Sequence, residues 1–304
     1  MGKAIIAIDA GGTKTKAALI NENCQIIERI SGPAGSPAVV TTKTAFANVF
    51  ALTEKLYRRY YQQYKIVFIQ LGISGLGIVA DPLPYQKKLA ELLQTDVAVD
   101  DDGYLALHSL MKTESGNWIA VISGTGSCCY GTNGNKTMML GGFGHLLTEA
   151  GSAYAAVKSV VTAAIRQFEE KEPLSPLSKA FMHKVGARNV YQFKVFIFNN
   201  SKSKIANYAK FIAKRALAGD GESKNILKRC GRDLARWVKL LYKHLSLSDN
   251  VKLGFRGSFI DKAPFVKDEL ISDLTENGFQ PSLVSNGVEP IFGAYYLAIR
   301  RGKL

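Results

Sequence analysis

Ile8-Asp9-Ala10-Gly11-Gly12-Thr13-Lys14-Thr15 and Ile122-Ser123-Gly124-Thr125-Gly126-Ser127 decide the fold of this chain, because each reads as a version of the other. Each follows an apolar run (residues 4–8 and 119–122) and precedes a second one (residues 17–20 and 128–130), giving strand, glycine turn, strand. Glycines let backbone N–H groups converge on an anion with no Cβ in the way, and Ser and Thr hydroxyls add donors. Two such hairpins predict two related lobes that grip a polyphosphate between them.

The context of the first hairpin separates it from other glycine loops. A Rossmann fingerprint or a Walker loop opens a helix, whereas Lys16-Ala17-Ala18-Leu19-Ile20 continues as a strand. Outward from there, strands are predicted at 4–8, 17–20 and 25–30, then a loop rich in Gly and Pro at 31–37. An amphipathic helix is expected over 41–64, with Phe46, Val49, Phe50, Leu52 and Leu56 on one face. A buried strand at 66–71 ends in the glycine turn Gly72-Ile73-Ser74-Gly75-Leu76-Gly77. A helix at 84–93, a strand at 97–99 and a helix at 103–111 follow.

After Trp118 the order repeats, with strands at 119–122, 128–130 and 137–140 and an Asn133-Gly134 hairpin turn. A helical insert is then predicted as segments 153–168, 175–185, 191–196, 204–217 and 223–245. A strand at 251–255, a Gly257-Ser258 turn, a helix at 264–276, a short strand near Leu283 and a helix at 289–299 close the chain.

Composition narrows the function classes. With 304 residues and 47% hydrophobic content, two domains are expected. No run of about 18 apolar residues occurs, and the N-terminus enters a strand directly, so neither a membrane span nor a signal peptide is predicted and a cytoplasmic protein is expected. The four cysteines have no metal-site spacing and read as reduced thiols. A net charge of +14, dense between Lys202 and Lys243, attracts anions. No nucleic-acid module accompanies it, so a nucleotide rather than a nucleic acid is the expected partner.

The two hairpins, Gly141-Gly142-Phe143-Gly144-His145 and Gly151-Ser152 together resemble the N-acetylglucosamine kinase and BadF/BadG/BcrA/BcrD ATPase family, within the actin-like, hexokinase and Hsp70 superfamily. The resemblance runs nearly end to end. It implies an α/β fold of two duplicated ribonuclease H-like lobes with ATP in the cleft between them. Residues 1–115 would form the sugar-side lobe and residues 116–304 the nucleotide-side lobe with its helical insert, the last helix returning to the first lobe. The implied activity is phosphorylation of an amino sugar, such as N-acetylglucosamine, N-acetylmuramic acid or glucosamine, at the 6-hydroxyl, by a homodimer. A BadF-type ATPase or activator and a non-catalytic sugar or nucleotide sensor are the alternatives.

Phosphoryl transfer asks for positioning, charge neutralisation and a base. Asp9, at a strand end, is expected to hold Mg²⁺, with Gly11, Gly12, Thr13 and Lys14 beside the phosphates. Thr125, with the amides of Gly124 and Gly126, would close the second clamp. Within Asp100-Asp101-Asp102, the family pattern of an Asn-Asp pair with a small residue four later points to Asp102 as base, Ala106 fitting, with Asp101 the other candidate. Asp102 could also cap the following helix. By resemblance Gly35, Gly142, Phe143, Gly144 and Glu149 fall where relatives contact the sugar, and Ala206 and Gly257 where they line the nucleotide. Two positions depart from the family: Gly35 replaces a common Asn, and Glu149 replaces the Asp of Gly-Asp-Glu-Gly-Ser. Arg256 either contacts the nucleotide or is exposed, and His145 reads as structural.

Overall fold

A computed structural model describes residues 1–285 and 288–304. The chain divides into two compact units: Met1–Trp118 with Ser285–Leu304, and Ile119–Val284.

The first unit opens with β1 (Gly2–Ala10), β2 (Thr15–Asn21) and β3 (Ile26–Gly32), an antiparallel meander. Helix α1 (Thr42–Tyr60) starts where the Thr41 side chain accepts from the Thr44 amide, and it buries Phe46, Val49, Leu52 and Leu56 at helical spacing. Strand β4 (Tyr64–Ile73) runs parallel to β1, and after α2 (Leu83–Leu93) strand β5 (Val97–Asp100) runs parallel to β4. Helix α3 (Asp102–Met111) completes this stretch.

Alternation along β1 shows how the sheet is sandwiched. Ala4, Ile6 and Ile8 pack with α1 and α2, whereas Ile5 and Ala7 pack with Leu105 of α3 and with Ala294, Leu297 and Ala298 near the C-terminus. A sheet covered on both faces needs apolar residues at every position of its central strand, which is what residues 4–8 supply.

The second unit begins with β6 (Trp118–Ser123), β7 (Ser127–Thr132) and β8 (Thr137–Gly141). Its insert comprises α4 (Ala153–Glu169), α5 (Pro176–Val185), α6 (Phe193–Phe198), α7 (Lys202–Ala206), α8 (Ala209–Leu217) and α9 (Gly221–His244). Strand β9 (Lys252–Arg256), α10 (Ser258–Lys262), α11 (Val266–Glu276) and β10 (Ser282–Leu283) follow, and α12 (Phe292–Arg300) belongs to the first unit.

Strand order is β3-β2-β1-β4-β5 in one sheet and β8-β7-β6-β9-β10 in the other. The two orders are one topology written twice: a meander on one side of the first strand, later strands on the other. This is the duplicated α/β architecture expected from the paired hairpins.

Three local expectations need correction. The segment 204–217 is two helices, α7 and α8, broken at Asn207-Tyr208, because the chain turns there to send both Ala206 and Ala209 into the same core. The turn after β9 leads directly into α10, a helix not anticipated. Part of the basic density of α9 is spent within the fold: Lys228 and Arg232 pair with Glu269, and Lys239 with Asp273, both acids of α11.

Candidate functional site

In the first unit the three consecutive aspartates separate into three environments. Asp100 ends β5 and its carboxylate accepts from Gln70 Nε2 and from Arg301, both at 2.9 Å, so its charge is already matched. Asp101 is the N-cap of α3, its side chain accepting from the Gly103 amide at 2.9 Å. This corrects the expectation that Asp102 caps the helix: Asp102 is the first helical residue, and the cap falls one position earlier. Asp102 is partly exposed as a residue, while its carboxyl is packed away from water. Burial first, then the negative charges of Asp101 and Asp9, hold that carboxyl well above the usual carboxylate range, with the Ser74 side chain bonding to it and opposing the rise. The three carboxyls thus differ in their partners: a cation and an amide for Asp100, a helix N-terminus for Asp101, and the Ser74 and Asp101 side chains for Asp102.

Asp9 sits at the end of β1, and burial raises its pKa against the pull of Lys16, with Glu289 adding to the rise. Glu289 itself is engaged by Arg29 at 2.8 and 2.9 Å. The turn that follows is closed by the Gly11 amide donating to the Lys14 carbonyl at 3.1 Å. The Gly11 amide is thereby taken up within the turn, whose Thr13 and Lys14 residues are exposed. The loop after β3 is tied beneath the hairpin: Thr15 donates to the Pro33 carbonyl through both its amide and its hydroxyl, and Gly35 donates to the Gly11 carbonyl. A Cβ at Gly35 would lie 2.6 Å from Thr15 Oγ1 and 2.9 Å from Ala10 Cβ. The absence of a side chain there is a packing requirement in this chain. Ser74 joins the same assembly, its amide donating to Ala10 O at 2.9 Å and its carbonyl accepting from Ser36 Oγ at 2.7 Å.

In the second unit the second glycine turn is supported from below by the start of α4. Ser123 Oγ donates to Gly151 O and Ser127 Oγ to Ala150 O, both at 2.6 Å. The Ala153 and Tyr154 amides, at the N-terminus of α4, donate to the carbonyls of Gly124 and Thr125. Within the turn the Gly124 amide donates to Gly126 O at 2.9 Å. The second clamp expected from the amides of Gly124 and Gly126 therefore lacks the first of these donors, and Thr125 and Gly126 remain. Gly257 closes on the same turn. Its φ is +110°, and a Cβ there would collide with the Ser123 carbonyl and come within 3.1 Å of the Gly124 nitrogen. The second and third glycine turns are thus one packed unit, which only glycine at 257 allows.

The remaining predicted residues fall at varied depths. Gly142 donates to Ser127 O at 3.1 Å, tying its segment to the hairpin, and both Gly142 and Gly144 have positive φ. Phe143 is exposed. His145 stacks edge-on against Tyr154 at 5.1 Å, and burial and the Lys202 cation lower its pKa, with Glu149 opposing. Ala206 is buried in the core of the insert. Arg256 is buried rather than exposed, with burial lowering its pKa against the pull of Asp261.

Glu149 is buried and ion-paired: Lys202 Nζ donates to its Oε1 at 2.6 Å. Sequence reasoning did not single out Lys202, Ser74 or Arg301. For Lys202 a signal existed, since a cation in the first turn of a helix lies at the wrong end of the helix dipole. The other two lie in the middle of a turn and at a helix end, with nothing in the sequence to mark them.

Comparison with known proteins places these features in a lineage. The chain is 26% identical over 304 residues to an N-acetylmuramic acid/N-acetylglucosamine kinase of Clostridium acetobutylicum, covering 97% of this chain and 98% of that one. It is 24% identical to an N-acetyl-D-glucosamine kinase of Dictyostelium discoideum, covering 98% of both. A solved structure from Chromobacterium violaceum, described as a candidate N-acetylglucosamine kinase, shares the fold with a TM-score of 0.71 at 18% identity, covering 97% of this chain and 98% of that one. The profile of the BadF/BadG/BcrA/BcrD ATPase family matches residues 6–298, and the chain belongs to that family.

Proposed function

We propose that this protein is an ATP-dependent kinase of an amino sugar, with N-acetylglucosamine, N-acetylmuramic acid and glucosamine as the candidate acceptors and the 6-hydroxyl as the acceptor atom. The observation that carries the reading is the sorting of the three aspartates: one paired with Arg301, one capping α3, and one, Asp102, buried with a raised pKa. A general base works best when its pKa approaches the operating pH. Both relatives described above carry amino-sugar kinase names, and an ATPase family supplies ATP as donor.

In this reading Asp102 accepts the proton of the sugar hydroxyl as that oxygen forms a bond to the γ-phosphorus. The bond to the β,γ-bridging oxygen breaks, ADP leaves, and the proton on Asp102 passes to water. Asp101 keeps α3 capped, and burial together with the Asp101 carboxylate keeps the Asp102 proton affinity high. Gly11, Gly12, Thr13 and Lys14 are the phosphate-binding residues of the first unit in this reading. Thr125 and Gly126 are those of the second, with Gly124 and Gly257 fixing the shape of their loop and Ala206 as a nucleotide-lining residue. The sugar-side residues in this reading are Gly35 of the first unit and Gly142, Phe143 and Gly144 of the second.

Mg²⁺ takes one or two carboxylates together with water and phosphate oxygens, and Asp9, a hard oxygen donor whose buried carboxyl has Lys16 as its opposing cation, fits that demand. Among the described residues no cluster of three or more His, Cys, Asp or Glu could hold an ion by itself. When bound, the ion would neutralise phosphate charge. The same reading makes the protein a cytoplasmic homodimer, with a sugar-side lobe at residues 1–115 and a nucleotide-side lobe at 116–304 whose last helix returns to the first lobe.

An assay of ADP release with Mg-ATP over a panel of amino sugars tests it. Sugar-dependent release supports the kinase, whereas equal hydrolysis with and without sugar, or none in either case, overturns it.

A further inference from the structure

Resting on the kinase reading above, we infer that Lys202 is a phosphate-contacting residue, held over the second glycine turn by Glu149, and that the pair recognises the di- or triphosphate of the nucleotide. Three observations point to it. First, a Cβ placed on Gly126 would lie 2.5 Å from Glu149 Oε2 and 2.7 Å from Lys202 Nζ, so the ion pair rests directly on the second glycine turn. Second, Lys202 occupies the first position of α7, after the Ser201 N-cap, where a cation is unfavourable to the helix dipole. Glu149 Oε1 holds its Nζ there at 2.6 Å.

Third, the pair is incomplete. The Glu149 side chain is 5% exposed and its Oε2 is buried with no hydrogen-bond partner, while the Lys202 side chain keeps 29% of its surface open to solvent. An ammonium has three donors and one is used here, so Nζ can keep Glu149 and still donate to a phosphate oxygen arriving on the loop. A carboxylate alone beside an anion site would repel the anion; the lysine it carries cancels that charge and places N–H donors on the side that stays open to solvent. This assigns Glu149 the part of a positioning residue and explains why a longer carboxylate stands at this point of the chain. Its carboxylate is committed to Lys202.

The test is calorimetric titration of the full chain with ATP, ADP and adenosine, for the wild type, Lys202→Met and Lys202→Arg. Lys202→Met is expected to weaken ATP and ADP at least tenfold and leave adenosine within about twofold, and Lys202→Arg to restore most of the loss. A merely structural lysine would weaken all three ligands alike, and that result overturns the inference, as does a Lys202→Met protein that binds ATP like the wild type. Wild-type protein that binds no adenine nucleotide would remove the kinase reading itself and this inference with it. Gly126→Ala is the second variant. The atoms nearest its methyl group are the Glu149 carboxylate oxygens and Lys202 Nζ, so it should displace the ion pair and reproduce the selective loss for ATP and ADP; unchanged binding by all three ligands counts against the assignment.

Discussion

Asp102→Asn should separate catalysis from stability in opposite directions. Asparagine preserves the size of the side chain and removes the ability to take a proton. General-base catalysis is worth about 10²–10⁴-fold. Neither neighbouring aspartate substitutes, because Asp100 is held by Arg301 and Gln70 and Asp101 by the Gly103 amide. The loss should therefore sit toward the upper end, about 10³–10⁴-fold in kcat, or about 4–5.5 kcal/mol of barrier. The fold should not suffer, because the helix cap belongs to Asp101.

Stability carries its own sign. The Asp102 pKa is raised in the folded protein by burial and by Asp101 and Asp9. Its protonated form is thus favoured by folding, a contribution present below the ordinary carboxylate range and lost as pH rises through the raised folded value. Above that value the wild type carries a buried, repelled charge that the variant lacks. Calorimetric Tm for Asp102→Asn should equal or exceed that of the wild type at mildly alkaline pH, with the advantage shrinking in acid, while coupled ADP release collapses. Retained sugar-dependent turnover, or a Tm that falls at alkaline pH, would refute the reasoning.

Gly257→Ala should destabilise by about 2–4 kcal/mol, since the methyl group meets the Ser123 carbonyl at a left-handed φ; urea unfolding measures it, and a loss near zero would contradict the packed-turn account. Gly35→Asn, which inserts the amide that relatives often carry, should cost about 1–3 kcal/mol through contact with Thr15, Ala10 and Val49 and should not tighten N-acetylglucosamine binding, as titration would reveal. Burial pushes the Cys230 thiol up to about 12 and the buried Cys129 thiol higher still. Both should stay silent to a thiol reagent until the protein unfolds, and rapid native labelling of either would show that their surroundings open.

Much of this was legible because the signals were local. The two hairpins follow from glycine between short apolar runs, and the five-residue alternation of β1 is visible as an unbroken apolar stretch. Residues that act through distant partners were not legible. Asp101 and Asp102 are indistinguishable as neighbours in a sequence, and only the start of α3 decides which one caps. Gly35 looks like a lost polar group until the chain crossing beneath Thr15 and Ala10 is seen. Glu149 looks like a free sugar ligand until α7 delivers Lys202 across 53 positions of sequence. The break between α7 and α8 was hidden because both halves keep a helical pattern and neither Gly nor Pro separates them.

Mass spectrometry of N-acetylglucosamine, N-acetylmuramic acid and glucosamine after incubation with Mg-ATP and the full chain tests the central claim most directly. One of these sugars should gain the mass of a single phosphoryl group with the wild type and remain unmodified with Asp102→Asn. If ATP is consumed while every sugar keeps its mass, phosphate passes to water and the protein is not an amino-sugar kinase.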